Sequence, residues 1–183
     1  MRNISNEQFN EKYYLYKPMI YRIAYSYVHS KIDSEDIVQD VFIKYLETDQ
    51  YFQTLDNEKY WLIRVTINTS LSFLRKTWKQ RVFLDDEMIN KTIDSSTNIR
   101  SNEKENMFEI IYHLPHKYKE VIILYYYEDL SINQISTILK ITTSNVKKRL
   151  ERARNIIRKK EKKHENFWWK NKKFKKCYWK IRS

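Results

Sequence analysis

The sequence predicts an all-α protein: two small helical domains joined by a flexible linker, the second containing a helix-turn-helix. Three observations predict it. The 183 residues include no glycine and only two prolines, Pro18 and Pro115, whereas an all-β fold needs turn residues at short intervals. Apolar residues make up 42% of the chain and charged residues 32%, and the apolar ones recur at three- and four-residue spacing, the helical pattern. That periodicity fails once, mid-chain, where the sequence turns acidic and rich in Ser and Asn.

The first domain is expected over residues 1–83. Phe9, Tyr13, Tyr16 and Ile20 form one apolar stripe, continued by Ile23, Ala24, Tyr27 and Val28, with a boundary or kink at Pro18. Ser34, followed by Glu35 and Asp36, reads as the start of a second helix, its acids at the positive end of the dipole. That helix should turn Ile37, Val41 and Leu46 inward and Asp36, Gln39, Asp40 and Lys44 outward. Residues 48–56 are polar and loop-like. A third helix is expected from about Asn57 to Trp78, carrying Trp61, Leu62, Val65, Leu71 and Leu74.

Residues 84–102 have the composition of a linker. The second domain, residues 103–160, begins with helices near 106–114 and 117–128, separated by Pro115, which biases the residue before it out of the helical region. Two helices with a tight turn follow. The first buries Ile132, Ile135, Ile138 and Leu139, with Ser131 as its cap; the second buries Val146, Leu150, Ala153 and Ile157, capped by Thr142 or Thr143. Its opposite face shows Asn145, Lys147, Lys148, Arg149, Arg152 and Arg154, the presentation of a helix that enters a DNA major groove. Ser144, Asn145, Lys147, Lys148 and Arg149 would meet base edges; Arg152, Arg154 and Lys159 would meet phosphates. Lys140 stands at the turn, where a left-handed conformation costs a non-glycine residue about 1–2 kcal/mol.

Composition excludes several functions. Without glycine there is no phosphate-cradling loop. The single cysteine, Cys177, allows no internal disulfide, and His29, His113, His116 and His164 are scattered without metal-ligand spacing. Asp36 and Asp40 lie one helical turn apart, but no nucleophile–base pair accompanies them, so the sequence predicts neither an enzyme nor a cofactor. No 18-residue apolar run and no signal pattern occur, which predicts a cytoplasmic protein. The net charge is +12, concentrated in the C-terminal half, which implies a polyanionic partner.

Opening a duplex requires no nucleophile, only a surface that binds one strand better than two. Base stacking on aromatic rings contributes about 1–3 kcal/mol per base, and a positive groove holds the backbone. Tyr51, Phe52, Tyr60, Trp61, Arg64, Arg75, Lys76 and Lys79 supply both ingredients in one stretch.

Residues 33–46 (Asp-Ser-Glu-Asp-Ile-Val-Gln-Asp-Val-Phe-Ile-Lys-Tyr-Leu) resemble the polymerase-docking helix of bacterial sigma factors, especially the small extracytoplasmic-function class. Residues 61–75 resemble the promoter −10 helix of the same domain. Residues 114–128, with the helix-turn-helix after them, resemble that class's −35-binding domain. The likeness covers residues 8–160, in order, with the linker in its place. It implies that Asp36, Gln39, Asp40 and Phe42 bind core RNA polymerase, that Trp61, Arg64, Asn68 and Arg75 contact −10 DNA, and that the loop 49–56 captures a flipped base. It likewise implies that Ser144, Asn145, Lys147, Lys148, Arg149 and Arg152 read −35 promoter DNA. Many members also bind an anti-sigma factor. Gln134, Ser136 and Lys140 depart from the family's usual Glu, Ala and Gly. The alternative reading is a stand-alone helix-turn-helix regulator that binds an operator as a dimer. The tail, 161–183, is basic and aromatic; on a helix it would carry Phe167, Phe174, Tyr178 and Ile181 on one face, suited to DNA phosphates or an anionic membrane surface.

Overall fold

The computed structural model describes residues 4–87 and 107–161, with side chains placed for 4–78 and 110–159; the tail and most of the expected linker lie outside the described residues. Every regular element described is helical: α1 Asn6–Val28, α2 Lys31–Glu47, α3 Leu55–Glu87, α4 Met107–Tyr112, α5 His116–Ile122 continuing as a π-helical stretch Ile123–Tyr127, α6 Ile132–Leu139 and α7 Thr143–Glu161. The third helix therefore runs on to Glu87 rather than ending near Trp78, and crosses the boundary expected after residue 83.

Helix α1 starts at a capping box, the Ser5 hydroxyl accepting from the Gln8 amide at 3.2 Å while the Gln8 side chain accepts from Ser5 N–H at 3.1 Å. Pro18 does not interrupt it. An interior proline leaves the carbonyl one turn back without its donor, but Tyr14 and Pro18 both lie on the exposed face, where water can serve that carbonyl. The start of α2 also differs from expectation. Ser30 is the cap, its hydroxyl accepting from Asp33 N–H at 3.3 Å, and Ser34 is buried inside the helix with its hydroxyl donating to the Ser30 carbonyl. The helix thus begins one turn earlier than expected, at Lys31.

Helices α1, α2 and α3 pack together over Ile20, Ile23, Ile37, Val38, Val41, Leu62 and Ile63. One polar knot ties all three. Glu58 on α3, 5% exposed, accepts from Lys12 Nζ (2.7 Å) and the Tyr16 hydroxyl (3.0 Å) on α1, and from the Tyr45 hydroxyl (2.5 Å) on α2. Burial alone would raise the Glu58 pKa, but the hydrogen bonds from Lys12, Tyr45 and Tyr16 outweigh it and hold the carboxyl below its ordinary value. The same burial and the facing carboxylate push the Tyr16 hydroxyl up.

The second module gathers α4–α7 around Val121, Leu124, Ile135, Ile138, Val146, Leu150 and Ala153. With no glycine available, its tight turns use ordinary residues at positive φ: Asp129 (51°) and Lys140 (54°), as His29 (54°) does after α1. The modules are in contact, α3 against α6 and α1 against α4, and their apolar residues form one continuous cluster.

Two stability predictions follow from these features. Lys140→Gly relieves a left-handed lysine and should stabilise the chain by about 1 kcal/mol, seen as a higher urea midpoint at unchanged slope. Glu58→Gln should cost about 3 kcal/mol at pH 7. Because the folded carboxyl titrates below its unfolded value, its contribution is complete above the ordinary carboxylate range and lost as pH falls through the lowered pKa. The wild-type and variant urea midpoints should therefore converge in acid.

Candidate polymerase and nucleic-acid interfaces

On α2 the spacing of Asp36, Gln39 and Asp40 puts all three on the exposed face, bracketed by the exposed apolar side chains Ile32 and Ile43. An acidic strip with apolar ends suits another protein's basic, partly apolar surface. Phe42 is not part of it. It is 3% exposed, its ring edge-on to Phe9 at 5.9 Å and tilted against Tyr13 at 4.8 Å. It follows Val41 inward because α2 buries a stripe two residues wide, and this corrects the expectation that Phe42 docks a partner.

The loop before α3 and the first turns of α3 enclose a cleft of about 460 Å³ lined by Gln50, Tyr51, Phe52, Gln53, Asn57, Tyr60, Trp61 and Arg64, with Thr137 of the second module closing one side. Trp61 is half-buried and packs on Phe52 (5.5 Å between rings) and Tyr45 (6.3 Å), so it is a wall of the cleft rather than a fully buried core residue. Tyr51 is exposed at 84%. A neutral, aromatic, open cleft beside a guanidinium suits an unstacked base. Further along α3, Asn68 and Arg75 are exposed. Arg75 folds back on its own helix, donating to the Leu71 carbonyl at 3.3 Å and the Ser72 hydroxyl at 3.2 Å.

Arg64 is engaged elsewhere. Its Nε donates to the Ile138 carbonyl at 3.0 Å and its Nη2 to the Thr137 carbonyl at 3.2 Å, at the C-terminus of α6. That helix has no basic residue in its own last turn. The cation that favours its negative end comes from the other module. Beside it, Ile67, Asn68 and Leu71 of α3 face Leu139, Lys140 and Glu120 across a cleft of about 190 Å³.

In the helix-turn-helix, the three departures from the expected pattern each have a local reason. Gln134 forms a capping box with Ser131, its side chain accepting from Ser131 N–H at 2.8 Å. The Ser136 hydroxyl donates across the turn to the Ile141 carbonyl at 2.6 Å, and Lys140 is left-handed. Thr142 caps α7, its hydroxyl accepting from Asn145 N–H at 3.2 Å. Ser144, Asn145, Lys147, Lys148 and Arg152 are exposed on α7. Arg149 is held, its Nε donating to the Asn145 side chain at 3.1 Å and its Nη1 lying 3.7 Å from Glu120. Arg154 turns inward instead of toward phosphate: its Nε donates to the Tyr126 hydroxyl at 2.8 Å, and the π-helical widening of α5 carries the tyrosines that receive it.

A two-module helical protein with a base-sized aromatic cleft on one module and a basic recognition helix on the other is, in class, a reader of two DNA elements. Comparison with known proteins gives the family. Residues 13–80 match Sigma-70 region 2 and residues 104–157 match Sigma-70, region 4. The chain is 34% identical over 145 residues to the RNA polymerase sigma factor SigV of Bacillus subtilis, covering 78% of this chain and 84% of that protein. It is 31% identical over 161 residues to the ECF RNA polymerase sigma factor SigW of the same organism, covering 79% and 84%. Its fold is similar to that of the sigma factor RpoE of Bartonella quintana, solved with the anti-sigma factor NepR (TM-score 0.66, 23% identity, 86% of this chain and 98% of that one). The chain belongs to the sigma-70 family of RNA polymerase sigma factors, in its extracytoplasmic-function class. The upstream module is therefore region 2, not the dimerisation unit of a stand-alone regulator. Among the described residues no helix is long and apolar enough to cross a membrane.

Periodicity gave no hint of the residues that join the modules. Arg22 on α1 makes two 3.0 Å hydrogen bonds to the Glu128 carboxylate, whose side chain is 5% exposed. Tyr27 stacks on His116 at 5.6 Å, and Lys119, 2% exposed, lies between the rings of Tyr27 (5.4 Å) and Tyr112 (4.9 Å). Burial pushes the Lys119 ammonium down to about 8 and Glu120 up, the latter against the pull of Arg149. The lowered lysine means that the unfolded chain binds more protons above pH 8, so stability should rise from there toward the ordinary lysine pKa. The raised tyrosines, Tyr16 and Tyr27, oppose this rise above about pH 10, where the unfolded chain ionises first. Lys119→Met should stabilise the chain by about 1–3 kcal/mol at neutral pH and abolish the rise between pH 8 and 10 in a denaturation series.

Proposed function

We propose that this sigma factor docks on core RNA polymerase through Asp36, Gln39 and Asp40 and delivers two DNA readers to one promoter. Helix α3 takes the −10 element: Trp61 and Tyr51 offer stacking faces for a base leaving the duplex, Arg64 and Arg75 hold the strand, and Asn68 reads along it. Helix α7 takes the −35 element in the major groove through Ser144, Asn145, Lys147, Lys148 and Arg149, with Arg152 on phosphate. The aromatic cleft before α3, adjoining a cation and open to solvent, is the observation that carries this reading. Flipping a base costs a few kcal/mol, and stacking in such a cleft repays it. The protein contributes binding energy and leaves bond-making to the polymerase, so it is not itself an enzyme and works in the cytoplasm with that machine. The working units are α1–α3, the last running to Glu87, and α4–α7. An anti-sigma factor is a further partner, since the similar fold of RpoE was solved with one.

Run-off transcription with purified core enzyme on a library of randomised promoters tests the proposal: the chain should enrich two separated elements. Asp40→Lys should abolish enrichment of both by releasing the polymerase. Arg149→Ala should cost about 1–3 kcal/mol of discrimination, roughly 5- to 150-fold, at one −35 base and leave docking intact. Asn68→Ala should slow strand opening at the −10 element alone. Enrichment of a single palindromic element without polymerase would defeat the reading.

A further inference from the structure

An apolar groove that neither DNA reader uses lies between α1 and the second module. It has a volume of about 200 Å³ and is walled by Tyr21 and Tyr25 of α1, Ile111 of α4, and Ile123 and Tyr127 of the π-helical stretch. The rings of Tyr21 and Tyr25 are stacked, 14° from parallel with centroids 6.0 Å apart, and make one broad aromatic wall. Two polar side chains at the groove are committed to other partners. Arg22 is bound to Glu128, and the Ser26 hydroxyl donates to the Ile23 carbonyl at 2.6 Å. What remains is aromatic and aliphatic surface. An apolar cavity of about 150 Å³ already holds a benzene ring, so the groove has room for one planar aromatic side chain.

The chain itself carries such side chains close by. Residues 162–183, outside the described residues, include Phe167, Trp168, Trp169, Phe174, Tyr178 and Trp179, apolar surface whose exposure to water is unfavourable. Helix α7 delivers this segment to the right end of the module. It runs beside α5 in the same direction, since Arg149 lies 3.7 Å from Glu120 and Arg154 donates to Tyr126 at 2.8 Å. Beyond Arg154 it passes the end of the same π-helical stretch from which Ile123 and Tyr127 wall the groove. Its last residue, Glu161, is about 10 Å further along the axis. From Glu161 an extended chain brings positions 167–169 out to roughly 20–28 Å, about twice the width of a helix. A ring tethered on so short a segment has an effective concentration in the millimolar range. An aromatic contact too weak to join separate molecules is therefore sufficient to fill the groove.

We propose that the segment Phe167–Trp169 folds back around the end of α5 and seats one of its rings in this groove, against Tyr21 and Tyr25. The tail is then an internal ligand of the chain. Its Lys and Arg residues are held against the protein rather than offered freely to nucleic acid or an anionic membrane. The inference does not use the assignment of α3 and α7 to promoter elements.

Photo-cross-linking in the full chain tests it. With Trp168→p-benzoylphenylalanine, illumination should join position 168 to peptides holding Tyr21, Tyr25 or Tyr127, within one molecule and at a yield independent of protein concentration. Tyr21→Ala with Tyr25→Ala should lower that yield several-fold. A second variant leaves the folded modules untouched: Trp168→Ser with Trp169→Ser should speed tryptic cleavage at Lys172, Lys173 and Lys175 several-fold over wild type. Cross-links spread along the whole chain, cross-links between two molecules, or equal cleavage of wild type and the tail variant would overturn the docking. So would protection from trypsin that arises only when duplex DNA or phosphatidylglycerol vesicles are added.

Discussion

Arg64 is the residue on which the arrangement of the whole chain turns. Helix α6 is only eight residues long and ends in a left-handed lysine with no cation in its last turn. Its terminal carbonyls are partly satisfied within the second module, but Thr137 and Ile138 accept from a guanidinium of the first. Hydrogen bonds to a charged donor contribute about 1.5–3 kcal/mol, and a cation at a helix C-terminus about 0.3–1 kcal/mol more. The contact is one of several between the modules, beside the Arg22–Glu128 pair, the Tyr27–His116 stack and a continuous apolar cluster.

Within each module the constraints are of a different kind. Glu58 collects a lysine and two tyrosines from two other helices, and removal of any partner leaves a buried polar group short of a bond. This fixes the relative placement of α1, α2 and α3, and thereby sets the aromatic cleft beside Trp61 against the acidic strip of α2. In the second module Arg149 is steadied by Asn145 and Glu120, and Tyr126 receives Arg154 from the π-helical widening. The recognition helix thus presents some of its basic side chains pre-positioned and keeps Lys147, Lys148 and Arg152 free on the surface, a division between orientation and general attraction that DNA readers need.

The fold class, the two modules and the helix-turn-helix were legible because they rest on local periodicity and capping, which short stretches of sequence carry. Ser131 as a cap, and Val146, Leu150 and Ala153 as buried positions, behave as their spacing requires. The helix boundary allowed for at Pro18 and the start at Ser34 did not hold, because both depend on which face the rest of the helix buries. Phe42 misled for a related reason: it belongs to a resemblance to a docking helix, while its ring completes a cluster with Phe9 and Tyr13 that only the folded α1 supplies. Arg154 was turned by a π-helical residue that no spacing rule marks. The contacts between modules were invisible altogether, since Arg22 with Glu128 and Arg64 with Ile138 are separated by 106 and 74 residues. Charge counting sees those arginines only as part of a basic surplus.

Docked through the α2 strip, one chain brings two DNA readers, α3 and α7, to a single promoter. Cryo-electron microscopy of the chain with core enzyme on a promoter fork measures this directly. The predicted result is α3 on the −10 strand, α7 in the −35 major groove, and the α2 strip against the polymerase. A complex in which either α3 or α7 stands off the DNA, or in which α2 faces solvent, would contradict it.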